Sequence, residues 1–348
     1  MLFYIYLLEQ VISANLIWTG NEFMIRCKDI AAMVGVSRQA VTAVLNNSHP
    51  NYVSKEKRAK ILQIAAEHNY RPDHAAVALK TGKSNLIGVV MPPWENLYSA
   101  ELCMGIQRSL AARNYTPFFA IDNKYNPVPG NLEQLLSLHV AGLITVAAEL
   151  LPDKIDMPVV SYFHDDPRFD SVCQNPALNS RLIIEHLKKC GHRKIGYLGF
   201  PTRIAARHLT LEAKRCGLEF PDRWKVDFGD KPCEDSFDRL LERNRGRDLP
   251  TALIIHNDTS ALSLMHRIRE RGYRIPEDFS IIGHDNIRYC ITAVPTLTSM
   301  SVGTPDEIAE AMVSLLMERM NDPVRPREKV LLKSELIERD SVLILREK

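Results

Sequence analysis

From residue 84 onward, short apolar runs alternate with amphipathic stretches of helix length. The apolar runs, each bounded by turn residues, lie at 86–91, 116–121, 141–147, 158–162, 194–199, 251–255 and 279–283. The amphipathic stretches lie near 97–113, 131–139, 176–190, 203–217, 233–244, 259–272 and 305–320. This alternation predicts βαβ units, and therefore parallel sheets with helices on both faces. Such sheets bind ligands in the crevice at the carboxyl ends of their strands.

The stretch that precedes this part, from Lys28 to Asn46, predicts two short helices. Its apolar side chains recur with a helical period at Ile30, Ala31, Val34, Val41, Val44 and Leu45. Between them, Gly35 suits the left-handed end of the first helix, and Ser37 is a good N-cap for the second. Two helices joined by a three-residue turn with a glycine are typical of a helix-turn-helix. A helical hairpin that only packs against its neighbours is the plainer alternative.

Polar and basic side chains around this stretch suit contacts with DNA. The outward face of the second helix carries Arg38, Gln39 and Thr42, which can hydrogen-bond to base edges or phosphates. A third helix is expected from Lys55 to about His68, capped by Ser54. The residues expected to close a three-helix core are Ala59, Leu62, Ile64, Ala65 and Ala66. The basic face of this helix consists of Lys55, Lys57, Arg58 and Lys60, and such a face serves either solubility or phosphate contacts.

The charge of the chain is distributed unevenly. Residues 24–83 hold ten Lys or Arg against four Asp or Glu, whereas the net charge of the whole chain is only +2. A small basic head on a mildly acidic body indicates that the head is the part that meets a polyanion. A length of 348 residues suggests two or three domains, and 45% hydrophobic with 25% charged residues is typical of a globular protein.

The cysteines and the first residues bear on the compartment. The seven cysteines are scattered and contain no C-x-x-C pair. This argues against a disulfide framework or a zinc site and predicts a cytoplasmic protein. Residues 1–23 are apolar but lack a basic n-region and a convincing cleavage site, and the run is too short and too polar to span a bilayer comfortably. We therefore expect translation to start at Met24 and residues 1–23 to be a non-native or disordered extension.

Several segments together resemble the lactose/galactose repressor family of bacterial transcription regulators. They are the Gly-Val-Ser turn with the helix that follows it to Asn46, the Asn-Tyr-Arg-Pro at 69–72, an alanine-rich segment ending in Leu79, and the run 86–90. The resemblance covers about residues 24–345. It implies an all-α helix-turn-helix domain at 24–70, a hinge helix and linker at 71–84, and an α/β, two-lobed, periplasmic-binding-protein-like body at 85–348.

The resemblance also implies how the chain divides between the two lobes. Lobe 1 would contain about 85–175 and 300–322, and lobe 2 about 176–298 and 323–345. The chain would cross between them near residues 175, 299 and 323. This body would hold the effector and form the dimer.

On DNA, the resemblance implies a recognition helix in the major groove and a hinge leucine, here Leu79, wedged into the minor groove. The candidate DNA contacts are Ser37, Arg38, Gln39, Thr42, Ala43, Asn46, Lys55, Arg58, His74 and Leu79. Three positions depart from the family pattern: Arg26 lacks the oxygen of a helix cap, Ala43 stands where many members carry Arg, and Asp73 stands where Asn is common. The operator sequence of a known member therefore cannot be assumed for this chain.

The candidate effector contacts follow predicted strands, where a cleft between lobes would place them. They are Asn96, Tyr98, Arg207, Asn257, Asp258 and Asp285. The resemblance supports the Asn257-Asp258 pair and Asp285, and it implies a sugar or similar polyol whose hydroxyls donate to a carboxylate. An amine fits a carboxylate as well. Arg207 matches poorly because the family position falls at Leu209.

Two of these residues have structural alternatives. Asn257 suits a helix N-cap as well as a ligand contact, whereas Asp285 favours function because an acid after a buried strand is otherwise costly. The histidines His164, His256 and His284 have no companion at metal-ligand spacing, so neither a metal nor another cofactor is expected. No nucleotide-binding or serine-hydrolase motif follows the strands.

These observations predict a DNA-binding transcriptional regulator and no enzyme, and the resemblance implies a homodimeric repressor of sugar-utilisation genes. The expected partners are a palindromic double-stranded operator, a second copy of the chain, and a sugar-like effector that changes the angle between the lobes. The membrane is not among them. A solute-binding protein that kept the two-lobed body, or an enzyme acting on a sugar in the cleft, is the alternative. The basic head argues against both.

Overall fold

A computed structural model describes residues 25–45, 52–70, 84–91, 97–121, 128–163, 165–200, 204–229 and 232–345. The chain divides into two compact units, Met1–Lys83 and Ser84–Lys348. We call the first unit the head and the second the body. The predicted extension at 1–23 and, except for Ser84, the predicted hinge helix and linker at 71–84 lie outside the described residues.

The head contains the predicted helices α1 (Cys27–Val34), α2 (Arg38–Leu45) and α3 (Lys55–Glu67). Gly35 ends α1 with φ of 66°, in the left-handed region that a glycine adopts at little cost. Ser37 caps α2, since its Oγ accepts a hydrogen bond of 3.1 Å from the backbone nitrogen of Ala40. The helix-turn-helix geometry predicted from the sequence is therefore confirmed.

The head is held together by a small apolar core. Ile30, Val41 and Ile61 from the three helices are each 0% exposed. The third helix packs through a different set of residues than predicted. Ile61 and Ala65 are buried and Ile64 is half-buried, whereas Ala59, Leu62 and Ala66 are exposed. The buried set repeats every three to four residues from Ile61, which is the period of a helix face.

The N-terminus of α1 lacks a side chain that caps the first helical nitrogens. Arg26 occupies the N-cap position, and its guanidinium has no acceptor to offer the first helical nitrogens. Instead, the Asp29 carboxylate accepts a 2.9 Å hydrogen bond from the backbone nitrogen of Arg26. One half of a capping box is thus present and the other half is missing.

The body consists of two six-stranded sheets with helices on their faces. The first sheet has the order β11-β5-β4-β3-β1-β2 and is parallel throughout. Its strands are β1 (Leu86–Met91), β2 (Thr116–Ile121), β3 (Gly142–Thr145), β4 (Val159–Phe163), β5 (Asp170–Cys173) and β11 (Lys329–Leu331). We call the part built on this sheet lobe 1.

The second sheet has the order β12-β10-β9-β8-β6-β7, and all its pairs are parallel except β10 with β12. Its strands are β6 (Ile195–Gly199), β7 (Lys225–Asp227), β8 (Ala252–Ile255), β9 (Ser280–His284), β10 (Thr298–Ser301) and β12 (Glu335–Ile337). We call this part lobe 2. The predicted α/β, two-lobed body is confirmed.

The helices of the body lie within one or a few residues of the predicted amphipathic stretches. They are α4 (Leu97–Ala111), α5 (Val128–Ser137), α6 (Pro176–Lys189), α7 (Ile204–Cys216), α8 (Asp235–Arg243), α9 (Asp258–Glu270) and α10 (Pro305–Asn321). Helix α10 packs closely on α4 at Gly105, where an added Cβ would lie 3.0 Å from the Cβ of Ala309. A glycine there allows the two helices to approach.

Two of the three predicted crossings between lobes fall later in the chain than expected. The first crossing, near residue 175, lies between β5 and α6 as predicted. Strand β10 belongs to the sheet of lobe 2, so the second crossing comes after Ser301 rather than near 299. Strand β11 pairs with β5 in lobe 1, so the third crossing comes after Leu331 rather than near 323. The prediction missed β10 and β11 because both are short and carry few apolar residues.

A buried ion pair joins the end of α10 to the base of lobe 1. The Asp170 side chain is 0% exposed and the Arg319 side chain 15%. Two hydrogen bonds of 2.8 and 2.9 Å connect the guanidinium to the two carboxylate oxygens. Burial alone would raise the pKa of Asp170, but the bonds from Arg319 outweigh it and hold that pKa below its ordinary value. Arg319 also donates to the carbonyl oxygens of Pro323 and Pro326, which fixes the segment leading to β11.

Within the described residues, no helix has the length and apolar character needed to cross a membrane.

Candidate functional site

The exposed surface of α2, together with its N-cap residue, carries four of the ten predicted DNA contacts. Ser37, Arg38, Gln39 and Thr42 are exposed side by side at the start of this helix and along one face. The hydroxyl of Thr42 donates a 3.0 Å hydrogen bond to the carbonyl oxygen of Arg38 and lies 3.6 Å from Sγ of Cys27. The N-terminal half of a recognition helix is the part that reads base edges in helix-turn-helix proteins.

Ala43 does not belong to this surface. Its side chain is 7% exposed and therefore lies inside the head. The prediction that Ala43 contacts DNA is wrong, because the helix turns this position toward the interior together with Ala40 and Val44.

The basic face of α3 has the predicted exposure, with one exception. Lys55, Lys57 and Lys60 are exposed, whereas Arg58 is half-buried. Lysine side chains that project from a helix beside a recognition helix can contact phosphates without reading sequence. The remaining predicted DNA contacts, Asn46, His74 and Leu79, lie outside the described residues, as does Asp73.

A second candidate site lies between the lobes of the body. The carboxyl ends of the strands in both parallel sheets face a cavity of about 1030 Å³. Lobe 1 contributes residues that follow β1, β3, β4 and β5, and lobe 2 contributes residues that follow β6, β8 and β9. A crevice at the carboxyl ends of parallel strands is where such sheets bind ligands. We call this cavity the cleft.

Asp285 brings a carboxylate into the cleft. It follows β9 with φ of 105°, a left-handed conformation that is unusual for a side chain other than glycine. Its Oδ1 lies 3.0 Å from Nδ1 of His284. Burial raises the pKa of Asp285 above its ordinary value, and the histidine partly offsets this effect. Backbone strain of this kind is concentrated at functional sites.

His284 is held from both sides. Its Nε2 lies 3.4 Å from Nδ2 of Asn179, which comes from α6. Burial lowers the pKa of His284, but the hydrogen bond and the charge of Asp285 outweigh it, so that this pKa lies above the ordinary histidine value. Asn179, His284 and Asp285 therefore form a continuous hydrogen-bonded series along the lobe 2 side of the cleft.

Lobe 1 faces this series with two tyrosines. The hydroxyl groups of Tyr98 and Tyr162 are hydrogen-bonded to each other, and Nε2 of Gln174 lies 3.5 Å from the hydroxyl of Tyr162. Burial raises the pKa of both phenols, and the charge of Asp285 adds to the rise, so both stay protonated near neutral pH. Tyr98 lines the cleft as predicted, and Tyr162 is a partner that the sequence did not reveal.

Asp258 does not face the cleft, which contradicts its predicted role as an effector contact. The residue is 0% exposed and does not line the cavity. Its carboxylate accepts hydrogen bonds from the Ser299 hydroxyl at 2.7 Å, the Ile287 nitrogen at 3.0 Å and the Cys290 thiol at 3.1 Å. Burial, together with the charge of Asp285, raises the pKa of Asp258 to about 7. Asp258 instead holds together the turns behind the cleft.

The buried carboxylate of Asp258 requires a glycine at position 283 in β9. A Cβ added to Gly283 would lie 2.0 Å from Oδ1 of Asp258, well inside van der Waals contact. The strand β9 can therefore pass the buried carboxylate only because this position has no side chain.

Asn257 combines the two roles that the sequence left open. Its Oδ1 caps α9 by accepting a 2.8 Å hydrogen bond from the nitrogen of Ser260. The residue also lines the cleft, so its amide NH₂ group remains available there. Arg207 on α7 is exposed and lines the same cavity, whereas Leu209 is buried at 3% exposure. Asn96 lies outside the described residues.

Aromatic side chains complete the lining. Phe200 packs edge to face against Phe228 and against His256, with ring centroids 5.6 and 4.9 Å apart. Sequence reasoning missed these residues and Asn179. The one available signal for Asn179 was its position on the apolar face of α6, four residues before Ile183. Among the described residues, no cluster of three or more His, Cys, Asp or Glu side chains is placed to hold a metal ion.

Comparison with known proteins identifies both parts of the chain. Residues 26–73 match the profile of bacterial regulatory proteins of the lacI family. Residues 184–342 match that of the periplasmic binding protein-like domain. The first match lies in the head, and the second spans most of lobe 2 together with α10 and β11 of lobe 1.

Relatives cover nearly the whole chain. The HTH-type transcriptional repressor PurR of Mannheimia succiniciproducens is 29% identical over 334 residues, which is 92% of this chain and 99% of that protein. The PurR repressor of Pasteurella multocida is 28% identical over the same shares.

Solved structures share the fold. The Lac repressor dimer bound to operator and the anti-inducer ONPF has a TM-score of 0.77 and 23% identity, covering 92% of this chain and 100% of that one. A LacI family regulator from Enterococcus faecium with bound ribose has a TM-score of 0.63 and 23% identity, covering 75% of this chain and 100% of that one. The chain therefore combines a DNA-binding head of the lacI family of bacterial regulatory proteins with a periplasmic-binding-protein-like body, and it is similar to the PurR transcriptional repressors along nearly its whole length.

Proposed function

We propose that this repressor acts as a homodimer in the cytoplasm, binds a palindromic operator through α2, and is controlled by a small hydroxyl-rich effector in the cleft. The observation that carries the effector part is the half-buried carboxylate of Asp285, which lies in a cavity that both lobes line. A ligand that contacts both lobes favours one angle between them over another. That difference in affinity is what a ligand needs to shift a conformational equilibrium.

A sugar is the effector class that the polar groups favour. The Asp285 carboxylate accepts hydrogen bonds, Tyr98 offers a hydroxyl, and the Asn257 amide offers two N–H donors. Adjacent hydroxyl groups of a monosaccharide act as donors and acceptors at once and can match all three. The aromatic side chains of Phe200 and Phe228 would pack against the apolar face of a sugar ring.

A purine base is the second effector class, and two observations favour it. The same aromatic lining suits a flat heterocycle, because offset stacking and edge-to-face contacts are favourable for such rings. The similarity to the PurR repressors points in the same direction. The N–H groups of a purine would donate to Asp285 in place of sugar hydroxyls.

The dimer proposal rests on apolar side chains that the body leaves exposed. Tyr289 and Ile291, in a short 3₁₀ turn after β9, are 49% and 63% exposed, and Met104 on α4 is 56% exposed. Arg288 from this turn lies 3.3 Å from Glu101 of α4, which brings the turn beside the helix. Met104 follows Glu101 by three positions and therefore shares its face. Exposed apolar side chains that two lobes bring to neighbouring positions suit a protein interface.

Replacement of Gln39 with Ala is expected to relax operator specificity. In vitro selection with the chain from Met24 first defines the operator, in the presence and absence of a sugar mixture. Gln39→Ala should then lower operator affinity by about 1–3 kcal/mol, because a bidentate contact to a base is lost. Binding to unrelated DNA should stay unchanged, since that binding depends on phosphate contacts.

Two control variants distinguish the reading of sequence from phosphate contacts and from unrelated substitutions in the body. Lys60→Ala should weaken binding to all sequences alike and reduce the salt dependence. Gln134→Ala, an exposed glutamine in α5 of the body, should change neither. If selection enriches no palindrome, or if Gln39→Ala binds the operator as tightly as the parent, α2 does not read the sequence as proposed.

Replacement of Asp285 with Asn is expected to abolish the effector response. Hydrogen bonds to a charged group contribute about 1.5–3 kcal/mol, so the affinity for the effector should fall roughly 10- to 100-fold. Isothermal titration calorimetry with D-ribose, D-galactose, cellobiose, adenine and guanine measures this directly. Sugars and purines are distinguished by which of them binds the parent protein.

Asp278→Asn is the matched control. Asp278 pairs with Arg274 at the protein surface and does not line the cleft, so this variant should bind the effector normally. Equal affinity of Asp285→Asn and the parent for the same ligand would place the effector elsewhere in the molecule.

A further inference from the structure

The first turns of α6 place a polar side chain on a face that is otherwise apolar. Asn179 is 5% exposed and precedes Ile183 and Leu187 at four-residue intervals along this face. It lines the cleft directly after the chain has crossed from lobe 1 to lobe 2. Its Oδ1 has no hydrogen-bond partner in the part of the chain that the structure describes. A buried acceptor without a hydrogen-bond partner destabilises the free protein, and a role in binding a ligand would explain why it is present.

The neighbouring histidine decides which way the amide points. Nδ1 of His284 lies 3.0 Å from a carboxylate oxygen of Asp285, and a carboxylate can only accept, so Nδ1 carries the proton. In the neutral ring, Nε2 is then an acceptor. It takes a hydrogen from Nδ2 of Asn179, at 3.4 Å. The amide oxygen of Asn179 is thereby directed away from His284 and left as an acceptor among the residues that line the cleft.

We propose that Asn179 is a specificity-determining effector contact, which accepts a hydrogen bond from a second donor group of the ligand while Asp285 accepts one from the first. The imidazole of His284 acts as the spacer that sets these two acceptors apart. The inference rests on the proposed function of the cleft and deepens it. The effector must carry two separate donor groups, hydroxyl or N–H, at one end of the molecule. A phosphate or carboxylate group at this end would face two acceptors and be repelled.

The position of Asn179 also places the proposed contact close to a connection between the lobes. The residue lies in the first turns of α6, four positions after the N-cap Asn175 at the crossing between the lobes. A hydrogen bond from the ligand to this side chain therefore acts close to the hinge. Ligands that engage Asp285 alone would bind without this contact.

The test compares two replacements of Asn179 in the full chain at alkaline pH, above the raised pKa of His284, so that its ring is neutral and Nε2 is an acceptor. Asn179→Leu keeps the approximate volume and removes the acceptor, whereas Asn179→Asp keeps an acceptor. The probe is a mixture of D-ribose, D-galactose, cellobiose, adenine and guanine, followed by titration with the component that raises the Tm of the parent. We expect Asn179→Leu to lose about tenfold in affinity and Asn179→Asp to stay within about threefold of the parent.

Measurements without ligand separate this role from a structural one. Asn179→Leu removes a buried acceptor that has no partner but also the long hydrogen bond of 3.4 Å to His284, so its Tm without ligand should stay close to that of the parent. Asn244 provides the matched control, since it is 2% exposed, also has an Oδ1 without a partner in the described chain, and does not line the cleft. Asn244→Leu loses hydrogen bonds to the carbonyl oxygens of Arg223 and Leu240 and should lower the Tm while leaving ligand affinity unchanged.

The outcomes distinguish the two proposals. If the parent binds a component of the mixture and Asn179→Leu binds it equally well, the role of Asn179 is refuted while the proposed function stands. If Asn179→Leu has a lower Tm and Asn179→Asp does not restore binding, Asn179 is a structural residue and the inference fails. If no component raises the Tm of the parent, the proposed effector classes fail, and the inference fails with them.

Discussion

Gly283→Ala is expected to destabilise the body by on the order of 4 kcal/mol. The new methyl group would lie 2.0 Å from Oδ1 of Asp258, and this carboxylate is fixed by three hydrogen-bond partners behind the cleft. Neither β9 nor the buried carboxylate can move without breaking bonds that have no solvent to replace them. Chemical denaturation monitored by circular dichroism measures the free energy of unfolding.

The control for this prediction is Gly217→Ala. Gly217 has φ of 70° and no atom within 4 Å of an added Cβ, so the variant tests conformational strain without a clash. About 1 kcal/mol is expected there. The double variant Gly283→Ala/Asp258→Ala should be less destabilised than the sum of its single changes, because the clash disappears with the carboxylate. Strict additivity would mean that Asp258 is not the group that Gly283 accommodates.

Arg319→Met is expected to cost about 3–5 kcal/mol, because it leaves the carboxylate of Asp170 buried without a counter-charge. The side chain of Asp170 is 0% exposed, so water cannot replace the guanidinium. The variant also loses the bonds that fix the segment between α10 and β11. The same denaturation experiment measures the loss.

The pH dependence of this variant has a defined sign. In the parent, the pKa of Asp170 is lowered, so the pair stabilises the fold above the pKa of an unfolded aspartate, about 3.9, and this contribution is lost as the pH falls below it. In Arg319→Met the carboxylate should be protonated more easily, so the gap to the parent should narrow in acid.

Two further variants serve as controls. Asp170→Asn/Arg319→Met removes the unpaired charge and should recover part of the stability. Arg274→Met removes a surface pair whose arginine is 71% exposed, for which at most about 1 kcal/mol is expected. A loss in Arg319→Met no larger than in Arg274→Met would contradict the assigned role of the buried pair.

The sequence predicted the strands that are continuous apolar runs and missed those that are not. The bounds of β1 and β2 agree with the predicted runs 86–91 and 116–121. Strand β1 is buried, and buried parallel strands are apolar on both faces, whereas β2 is a partly exposed edge strand that is nonetheless mostly apolar. Strands β5 and β10 carry Asp170, Ser171, Thr298 and Ser299, whose polar groups are satisfied by partners from distant parts of the chain. Such partners cannot be read from a local pattern.

The residues around the cleft likewise divide into those that the sequence predicted and those that it did not. Tyr98, Asn257 and Asp285 were predicted because polar residues after buried strands meet at one edge of a sheet. Asp258 was assigned wrongly, because adjacency in sequence does not reveal that a helix turns one of two neighbours inward. Asn179 was missed because its significance depends on His284, 105 positions later. The turn of α2 that buries Ala43 is a comparable case in the head.

The three connections between the lobes lie side by side. Strand β5 pairs with β11 just before the first and third connections leave lobe 1, and β10 pairs with β12 where the second and third meet lobe 2. Three short adjacent connections allow the lobes to rotate about a common axis but resist sliding. Under the proposed function, the motion that an effector controls is a single angle between the lobes. Any molecule that stabilises that angle would give the same output, so evolution could exchange the signal that such a repressor detects while leaving its response on DNA unaltered.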